Sequence, residues 1–244
     1  MLTGTDPTYH HQISIANGAR VKLKDVHINH NDVQNETFAG LTCEGNAVLI
    51  LEGTNTITGY KSNYPGIYVS EGYTLTIKGS SSDKLTVRSH GSAAGIGAGF
   101  AGFNDNCGNI VIEGGDITAY GYTDYNSSSC GAGIGGRTYS CGDIIIKGGF
   151  VKAIKKKSPN TSETAPYSIG IGSDNESKND NLVCACGPIT FDTQVFTATG
   201  FHYGTNPNSW TYSPEPANGT YGGLTLTIST TTDTNDTWTL TPAP

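Results

Sequence analysis

Five triplets with a central glycine recur along the chain, at spacings of 26, 29, 38 and 37 residues. They are Ala39-Gly-Leu41, Pro65-Gly-Ile67, Ala94-Gly-Ile96, Ala132-Gly-Ile134 and Ile169-Gly-Ile171. Each is followed by two short segments in which apolar and polar residues alternate, a pattern typical of a β-strand with one buried face. A repeat of this length buries its apolar side only by stacking on its neighbours. The sequence therefore predicts a stack of units, each built from three short strands.

The alternating segments form two sets of equivalent strands. First strands are predicted at residues 21–24, 48–52, 75–78, 110–113, 144–147 and 189–192, and second strands at 26–28, 56–58, 85–88, 117–120, 151–154 and 196–199. If equivalent strands pair in parallel, the first strands present an outward row of alternating charge, made of Lys24, Glu52, Lys78, Glu113, Lys147 and Asp192. The second strands present an outward threonine row, made of Thr56, Thr86, Thr118 and Thr197. The inward Asn55 breaks the apolar pattern and is expected to bond backbone groups at a turn.

These patterns predict an all-β chain: one right-handed parallel β-helix domain over residues 1–244, with about six three-strand coils. The coils are assigned to residues 16–200, with an N-terminal cap at 1–15 and a C-terminal cap at 201–244, because an open solenoid end is an unpaired edge. Within the second cap, residues 224–228 and 238–240 are expected to be strands that close the end.

Composition excludes several classes of partner. The net charge is −7 and the arginines are Arg20, Arg88 and Arg137, whereas a nucleic-acid surface needs clustered positive charge. No segment is apolar enough for a membrane span, and the polar residues 2–11 contain no signal-peptide core. Only 14% of residues are charged and 33 are glycine, a profile that suits an all-β repeat with many tight turns. The abundance of Thr, Ser, Asn, Gly and Tyr favours an extracellular or cell-surface protein whose signal peptide is absent from this chain.

Three of the six cysteines fall in the same position of successive repeats, directly before a glycine: Cys107, Cys141 and Cys186. This spacing predicts an internal ladder of thiols. A disulfide between Cys107 and Cys141 is the alternative, because equivalent residues of neighbouring coils lie within bridging distance. The pair at Cys184 and Cys186 lacks the spacing of a zinc knuckle, so zinc is the least favoured interpretation.

Residues 131–153, with the sequence GAGIGGRTYSCGDIIIKGGFVKA, are similar to repeats of secreted bacterial surface proteins, many of them described as carbohydrate-binding. Over residues 13–200 the chain resembles the pectate-lyase-like superfamily of right-handed parallel β-helices. That resemblance implies a fold shared by polysaccharide lyases, polygalacturonases, adhesins and non-catalytic sugar binders. The matching residues are turn glycines and core aliphatics, so the resemblance specifies fold more than activity.

No catalytic residues are predicted. The lyases of this superfamily use carboxylates on one parallel strand to hold calcium, whereas the outward middle positions of the first strands are Lys22, Ile50, Thr76, Val111, Ile145 and Thr190. A glycosidase needs paired carboxylates, and the segment around His90 matches too little of the polygalacturonase pattern. The prediction therefore leans against an enzyme.

The turns that lengthen in the later coils carry tyrosines beside amide and charged groups, a combination that suits sugar rings. The candidate ligand-binding residues are Asn104, Asn106, Tyr122, Asp124, Tyr125, Arg137 and Tyr139. Calcium is the one cofactor considered, and its candidate ligands are Asp105, Asp174 and Asp180. The leading hypothesis is a non-catalytic binder of polysaccharide or cell-surface glycan. The alternatives are a lyase or hydrolase, and a structural stalk or adhesin segment of a larger surface protein.

Overall fold

The computed structural model describes residues 1–6, 12–29, 38–60, 64–89, 93–99, 106–121, 131–136, 140–156, 170–172, 186–201, 210–230 and 235–244. These residues form 22 β-strands and contain no helix. At the N-terminal end lie β1 (Leu2–Asp6), β2 (Ser14–Ile15) and β3 (Arg20–Ile28). The repeating strands are β4 (Leu41–Cys43), β5 (Ala47–Glu52), β6 (Thr54–Thr58), β7 (Ile67–Val69), β8 (Thr74–Lys78), β9 (Lys84–Arg88), β10 (Ile96–Gly97), β11 (Asn109–Ile112), β12 (Asp116–Gly121), β13 (Ile134–Gly135), β14 (Ile144–Ile146), β15 (Phe150–Lys156), β16 (Ile171–Gly172) and β17 (Ile189–Phe191). The last are β18 (Gln194–Phe201), β19 (Trp210–Ser213), β20 (Gly219–Tyr221), β21 (Leu224–Thr230) and β22 (Asn235–Pro242).

Equivalent strands of successive repeats pair in parallel and form a β-helix, as the sequence predicts. The first strands stack in the order β3, β5, β8, β11, β14 and β17, and the second strands in the order β3, β6, β9, β12 and β15. The glycine-centred triplets lead into the strands of the third stack, which begins with β2 and continues in the order β4, β7, β10, β13 and β16. The inward side chains, such as Leu49, Ile77 and Ile112, are buried in one aliphatic core between the stacks.

Four coils have three separate strands, and the coils before and after them differ. In the first, β3 runs without a break from the first stack into the second, and Asp25 lies between the two parts with a φ of 51°. In the last, β18 folds back on β17 in antiparallel pairing instead of continuing around the coil. The expected parallel second strand at residues 196–199 is therefore wrong, and the complete coils are fewer than six.

The connection between β17 and β18 is that of a hairpin rather than of a coil corner. The two preceding corners of this stack contain a glycine pair, as at Gly114-Gly115, where Gly115 has a φ of 107°. Between β17 and β18 only Asp192 and Thr193 separate the paired residues Phe191 and Gln194. A two-residue connection with positive φ at Asp192 is typical of a tight hairpin, so the chain reverses.

The C-terminal strands close this end of the helix, which confirms the expected strands at residues 224–228 and 238–240. Strand β22 pairs antiparallel with β15, in the position of a further second strand, and β21 and β20 extend the same sheet. Phe191, Phe196, Tyr221 and Trp238 pack together beneath it, with ring centroids of Phe196 and Tyr221 5.1 Å apart. The aromatic rings cover the last aliphatic layer.

The outward charges form two groups rather than the single row predicted. Lys24 lies opposite Glu52, but Lys78 of the next coil lies opposite Ile50. Residues 79–83 separate β8 from β9, whereas Gly53 alone separates β5 from β6. The longer corner lets the first strands slip by two residues while the second strands keep their register. From Lys78 onward, Glu113 and Lys147 follow the prediction, and Glu113 forms ion pairs with both lysines.

Asn55 has the role expected for an inward polar residue. It is fully buried, and its Oδ1 accepts a hydrogen bond from the N–H of Val26 at 3.0 Å. Its Nδ2 donates to the carbonyl oxygens of Glu52 and Lys84, each at 3.2 Å. The side chain therefore satisfies backbone groups of three successive coils, which is how a buried amide is accommodated.

Cys107 and Cys141 form a disulfide across neighbouring coils, with Cα atoms 4.4 Å apart. The expected free-thiol ladder is therefore wrong for this pair, and the alternative is correct, because the parallel stacking brings equivalent residues within bridging distance. Cys43 and Cys186 are buried free thiols, and burial raises the pKa of each to about 12.

Candidate functional site

Most of the predicted site residues cannot be placed, because they lie outside the described residues. These are Asn104, Tyr122, Asp124, Tyr125, Arg137 and Tyr139 among the sugar ligands, and Asp105, Asp174 and Asp180 among the calcium ligands. Their grouping into one site stays a prediction.

Asn106 is the predicted site residue that the structure describes, and it links coils. Its Nδ2 donates to Oε1 of Glu71 at 3.0 Å, and its Oδ1 accepts from the N–H of Ser140 at 3.0 Å. Its carbonyl oxygen also accepts a hydrogen bond from the Tyr68 hydroxyl. The side chain thus bonds to the coil on each side of it, so a sugar hydroxyl would compete with these two bonds.

The outward side of the second strands is a regular polar surface. Its central row places Thr56, Thr86 and Thr118 opposite one another, as predicted, and Lys152 continues it. Thr197 does not belong to this row, because it lies in the β18 hairpin opposite Ser213. The threonine hydroxyls stand one strand spacing apart, about 4.8 Å. We call this surface the threonine face and define it by Thr56, Lys84, Thr86, Arg88, Asp116, Thr118, Tyr120, Phe150 and Lys152.

The second row of the threonine face contains a fixed aromatic ring. Arg88 lies opposite Tyr120, and its guanidinium carbon is 4.0 Å from the centre of the Tyr120 ring. A cation over an exposed ring contributes about 0.5–1 kcal/mol, enough to favour one orientation of the tyrosine. Tyr120 is half-buried and Arg88 is exposed. The pair lies where the chain enters the predicted loop that contains Tyr122 and Tyr125.

The third row mixes charge with one exposed ring. Lys84 lies opposite Asp116, which in turn lies opposite Phe150. Phe150 is 41% exposed, and Met1, Tyr73 and Val195 are the other exposed large apolar side chains among the described residues. The surface therefore combines hydroxyls, a stacked arginine and tyrosine, opposite charges and an accessible ring within three strand spacings.

Hydroxyl groups continue beyond β15 onto the C-terminal strands. Thr239 of β22 lies opposite Lys152, and Thr227 of β21 lies opposite Thr239. The sequence predicts these strands only as part of the cap, although their alternating threonines also indicate this surface. The sequence-based prediction also did not include Arg88 and Tyr120 in the site. They could have been identified from their matching positions in adjacent second strands.

The outward side of the first strands carries lysines and glutamates that form ion pairs with one another. Glu52 pairs with Lys24 and with Lys22, the latter at 2.8 Å, and Glu113 pairs with Lys78 and, at 3.5 Å, with Lys147. Hydrogen bonds from Lys22 and Lys24 lower the pKa of Glu52, and those from Lys78 and Lys147 lower the pKa of Glu113.

At the corner between β8 and β9, hydrogen bonds from Ser80 lower the pKa of Asp83. A glycosidase acid needs a raised pKa, so Glu52, Glu113 and Asp83 are unsuited to that role.

The described residues offer neither a metal site nor a sugar pocket. Among the described residues, no three His, Cys, Asp or Glu side chains are grouped closely enough to hold a metal ion. A cavity of about 330 Å³ lies at the N-terminal end between β1, β2 and β3, and its lining is mostly apolar, with Leu2, Ile13 and Val21 among its residues. It lacks the converging polar groups that orient a sugar.

The described part of the chain contains no helix long and apolar enough to cross a membrane. The chain matches no family model, no curated protein and no solved structure. The functional argument therefore rests on the surfaces of the β-helix and on the repeats.

Proposed function

We propose that this protein is a non-catalytic polysaccharide-binding β-helix of the cell exterior, and that the threonine face contacts the glycan. The observation that carries the proposal is the Arg88–Tyr120 pair beside the row of Thr56, Thr86 and Thr118. A held aromatic ring offers an apolar surface for a sugar ring, and the hydroxyls supply hydrogen-bond partners.

The dimensions of the face suit a chain of sugars. From β6 to β15 the face covers three strand spacings, about 14 Å, which accommodates consecutive rings laid along the helix axis. Binding on an open face also suits a polymer, because a polymer cannot thread into a closed pocket. Phe150 lies one row from Lys152 and offers a second ring, which is exposed, at the same end of the face.

The predicted loop residues extend the same proposal. Tyr122 follows Tyr120 by two positions, so the loop that contains Tyr122, Asp124 and Tyr125 begins at the edge of the threonine face. In the proposal, these side chains enlarge the glycan contact, joined by Asn104, Arg137 and Tyr139, with calcium at Asp105, Asp174 and Asp180 as an aid to loop ordering.

The disulfide supports the assignment to the cell exterior. Structural disulfides persist in oxidising compartments and are rare where thiols are kept reduced. The bridge between Cys107 and Cys141 joins two central coils. We place the protein in the pectate-lyase-like superfamily on its repeats, as part of this proposal.

The non-catalytic part of the proposal draws on three of the described carboxylates. Glu52, Glu113 and Asp83 have lowered pKa values and are engaged by lysines or by Ser80. A lyase or hydrolase needs a free base or a protonated acid beside the sugar.

A glycan panel tests the proposal, with binding and released products both measured, and with calcium present or chelated. We expect binding without product. The double variant Arg88→Ala/Tyr120→Ala should weaken binding about tenfold or more, because it removes the ring and the cation that orients it. Thr76→Ala on the first-strand side is the matched control and should bind as the wild type does.

Each other outcome contradicts the proposal in a distinct way. Released oligosaccharide would identify a lyase or hydrolase instead. Equal binding by the wild type and the double variant would remove the glycan from the threonine face. A wild-type protein that binds no glycan would favour a stalk or adhesin segment.

A further inference from the structure

Three cysteines occupy one inner row, and the coil steps between them are alike. Cys107 and Cys141 are joined by a disulfide, and the N–H of Gly142 donates to the carbonyl oxygen of Cys107 at 2.9 Å. One coil further, the N–H of Gly187 donates to the carbonyl oxygen of Cys141 at 2.8 Å. In both steps, the glycine that follows one cysteine donates to the carbonyl oxygen of the cysteine in the preceding coil. Cys141 therefore has an equivalent cysteine on each side.

The Cys186 thiol lies directly against this row. It is 3% exposed, and burial raises its pKa to about 12, an effect that the neighbouring backbone of Cys141 and of Gly136 partly opposes. Cys43, the other described free thiol, belongs to an earlier coil, where it lies opposite Val69. Among the described thiols, Cys186 is thus the one beside the bridge.

We propose that Cys141 is a shared disulfide partner, so that the bridge exchanges between Cys107–Cys141 and Cys141–Cys186. In the step, the Cys186 thiolate attacks Sγ of Cys141, the Cys107–Cys141 bond breaks, and the Cys141–Cys186 bond forms. Cys107 leaves as a thiolate and takes up the proton that Cys186 gave up. One disulfide and one thiol are present before and after, so the exchange needs no external oxidant.

Exchange changes which coils are covalently joined. In the first state the bridge ties the coil of β11 to the coil of β14, because Cys107 and Cys141 precede those strands. In the second state it ties the coil of β14 to that of β17, where the β-helix meets its C-terminal strands. The bridge thus moves one coil toward the cap.

The wild-type protein gives a direct test. The oxidised protein is incubated at pH 8, 9 and 10, quenched with acid, digested and mapped by mass spectrometry. We expect a Cys141–Cys186 peptide whose rate of appearance rises about tenfold per pH unit, since the thiolate fraction rises tenfold per unit below the thiol pKa. A bridge that stays at Cys107–Cys141 throughout, in folded protein, would overturn the proposal.

Variants give a second, independent test. Cys107→Ser leaves Cys141 and Cys186 as thiols with little change in volume, and oxidation should join them. Cys186→Ser should keep the Cys107–Cys141 bridge and lose the exchange, while Cys43→Ser is the matched control and should exchange as the wild type does. If oxidised Cys107→Ser keeps Cys141 and Cys186 open to alkylation, or joins Cys141 to Cys130 or Cys184, the proposal is wrong. Should Cys107→Ser not fold, the wild-type time course decides.

Discussion

Asn46 accepts a hydrogen bond at Oδ1 from the backbone N–H of Thr74 in the next coil, with the atoms 2.9 Å apart. The same relation joins Asn17 to the N–H of Asn46 and Asn109 to the N–H of Asp143. Together these bonds form a ladder along the corner that leads into the first strands. The bonds satisfy N–H groups that would otherwise end each strand without a partner.

Removing one step of the ladder should destabilise the stack. In Asn109→Ala the N–H of Asp143 and the Thr74 hydroxyl lose their partners, and we expect a loss of about 1–2 kcal/mol in the free energy of unfolding. Urea unfolding followed by circular dichroism measures it. Asn109→Asp keeps the oxygen that accepts from Asp143 and should lose less, so an equal loss in both variants would contradict the ladder as the cause.

The aliphatic core should not tolerate charge. Ile112 is fully buried between the stacks, so Ile112→Asp places a carboxylate without a partner among aliphatic side chains. The cost is several kcal/mol, a large part of the usual total stability of about 5–15 kcal/mol. We expect the variant to be insoluble or unfolded, whereas Ile112→Val should fold. Soluble Ile112→Asp with an unchanged melting temperature would refute the assigned core position.

The paired glutamates should make stability depend on pH at the acid end. The pKa of Glu113 is lowered in the folded state by Lys78 and Lys147, so its contribution is present above the unfolded pKa and is lost as pH falls through the folded pKa. Glu113→Gln should therefore lower the melting temperature at pH 7 and leave it almost unchanged at pH 2. Asp116→Asn on the threonine face is a comparison carboxylate. A Glu113→Gln deficit of equal size at both pH values would exclude this mechanism.

The predicted loop tyrosines should contribute to glycan binding. Tyr122→Ala combined with Tyr125→Ala should weaken affinity about tenfold or more, since each ring stacked on a sugar contributes on the order of 1 kcal/mol. Glycan titration of the folded variant measures this change, and an unchanged melting temperature is the control for folding. If the variant binds a glycan as tightly as the wild type, the loop after Tyr120 is not part of the site.

Local alternation predicted most of the strands, the parallel stacking and the role of Asn55. Alternation did not predict the two-residue slip at Lys78, because the slip is set by the length of the corner at residues 79–83. It also missed the β18 hairpin, which is set by a two-residue connection at Asp192. The sequence pattern did not predict the asparagine ladder, because the residue at this corner is not asparagine in every coil. It is a threonine at Thr74 and an aspartate at Asp143.

The candidate site was less accessible from sequence than the fold. Arg88 and Tyr120 come together only through parallel pairing of β9 with β12, across 32 residues of chain. A loop rich in tyrosine can be recognised in a sequence. A surface assembled from residues of successive coils can be recognised only once the strand register is known. The threonine row follows from the predicted register of the second strands, whereas Arg88 and Tyr120 differ in residue type and therefore do not stand out as a repeated position.

The pairing of β15 with β22 has a consequence for synthesis. Val151 meets Leu240, 89 residues later, so the edge of β15 stays open until nearly all of this chain has emerged from the ribosome. During that interval the nascent β-helix presents an unpaired strand, which is a template for pairing with another copy. A ribosome that stalls before residue 235 would release a stack of coils able to join others by that edge.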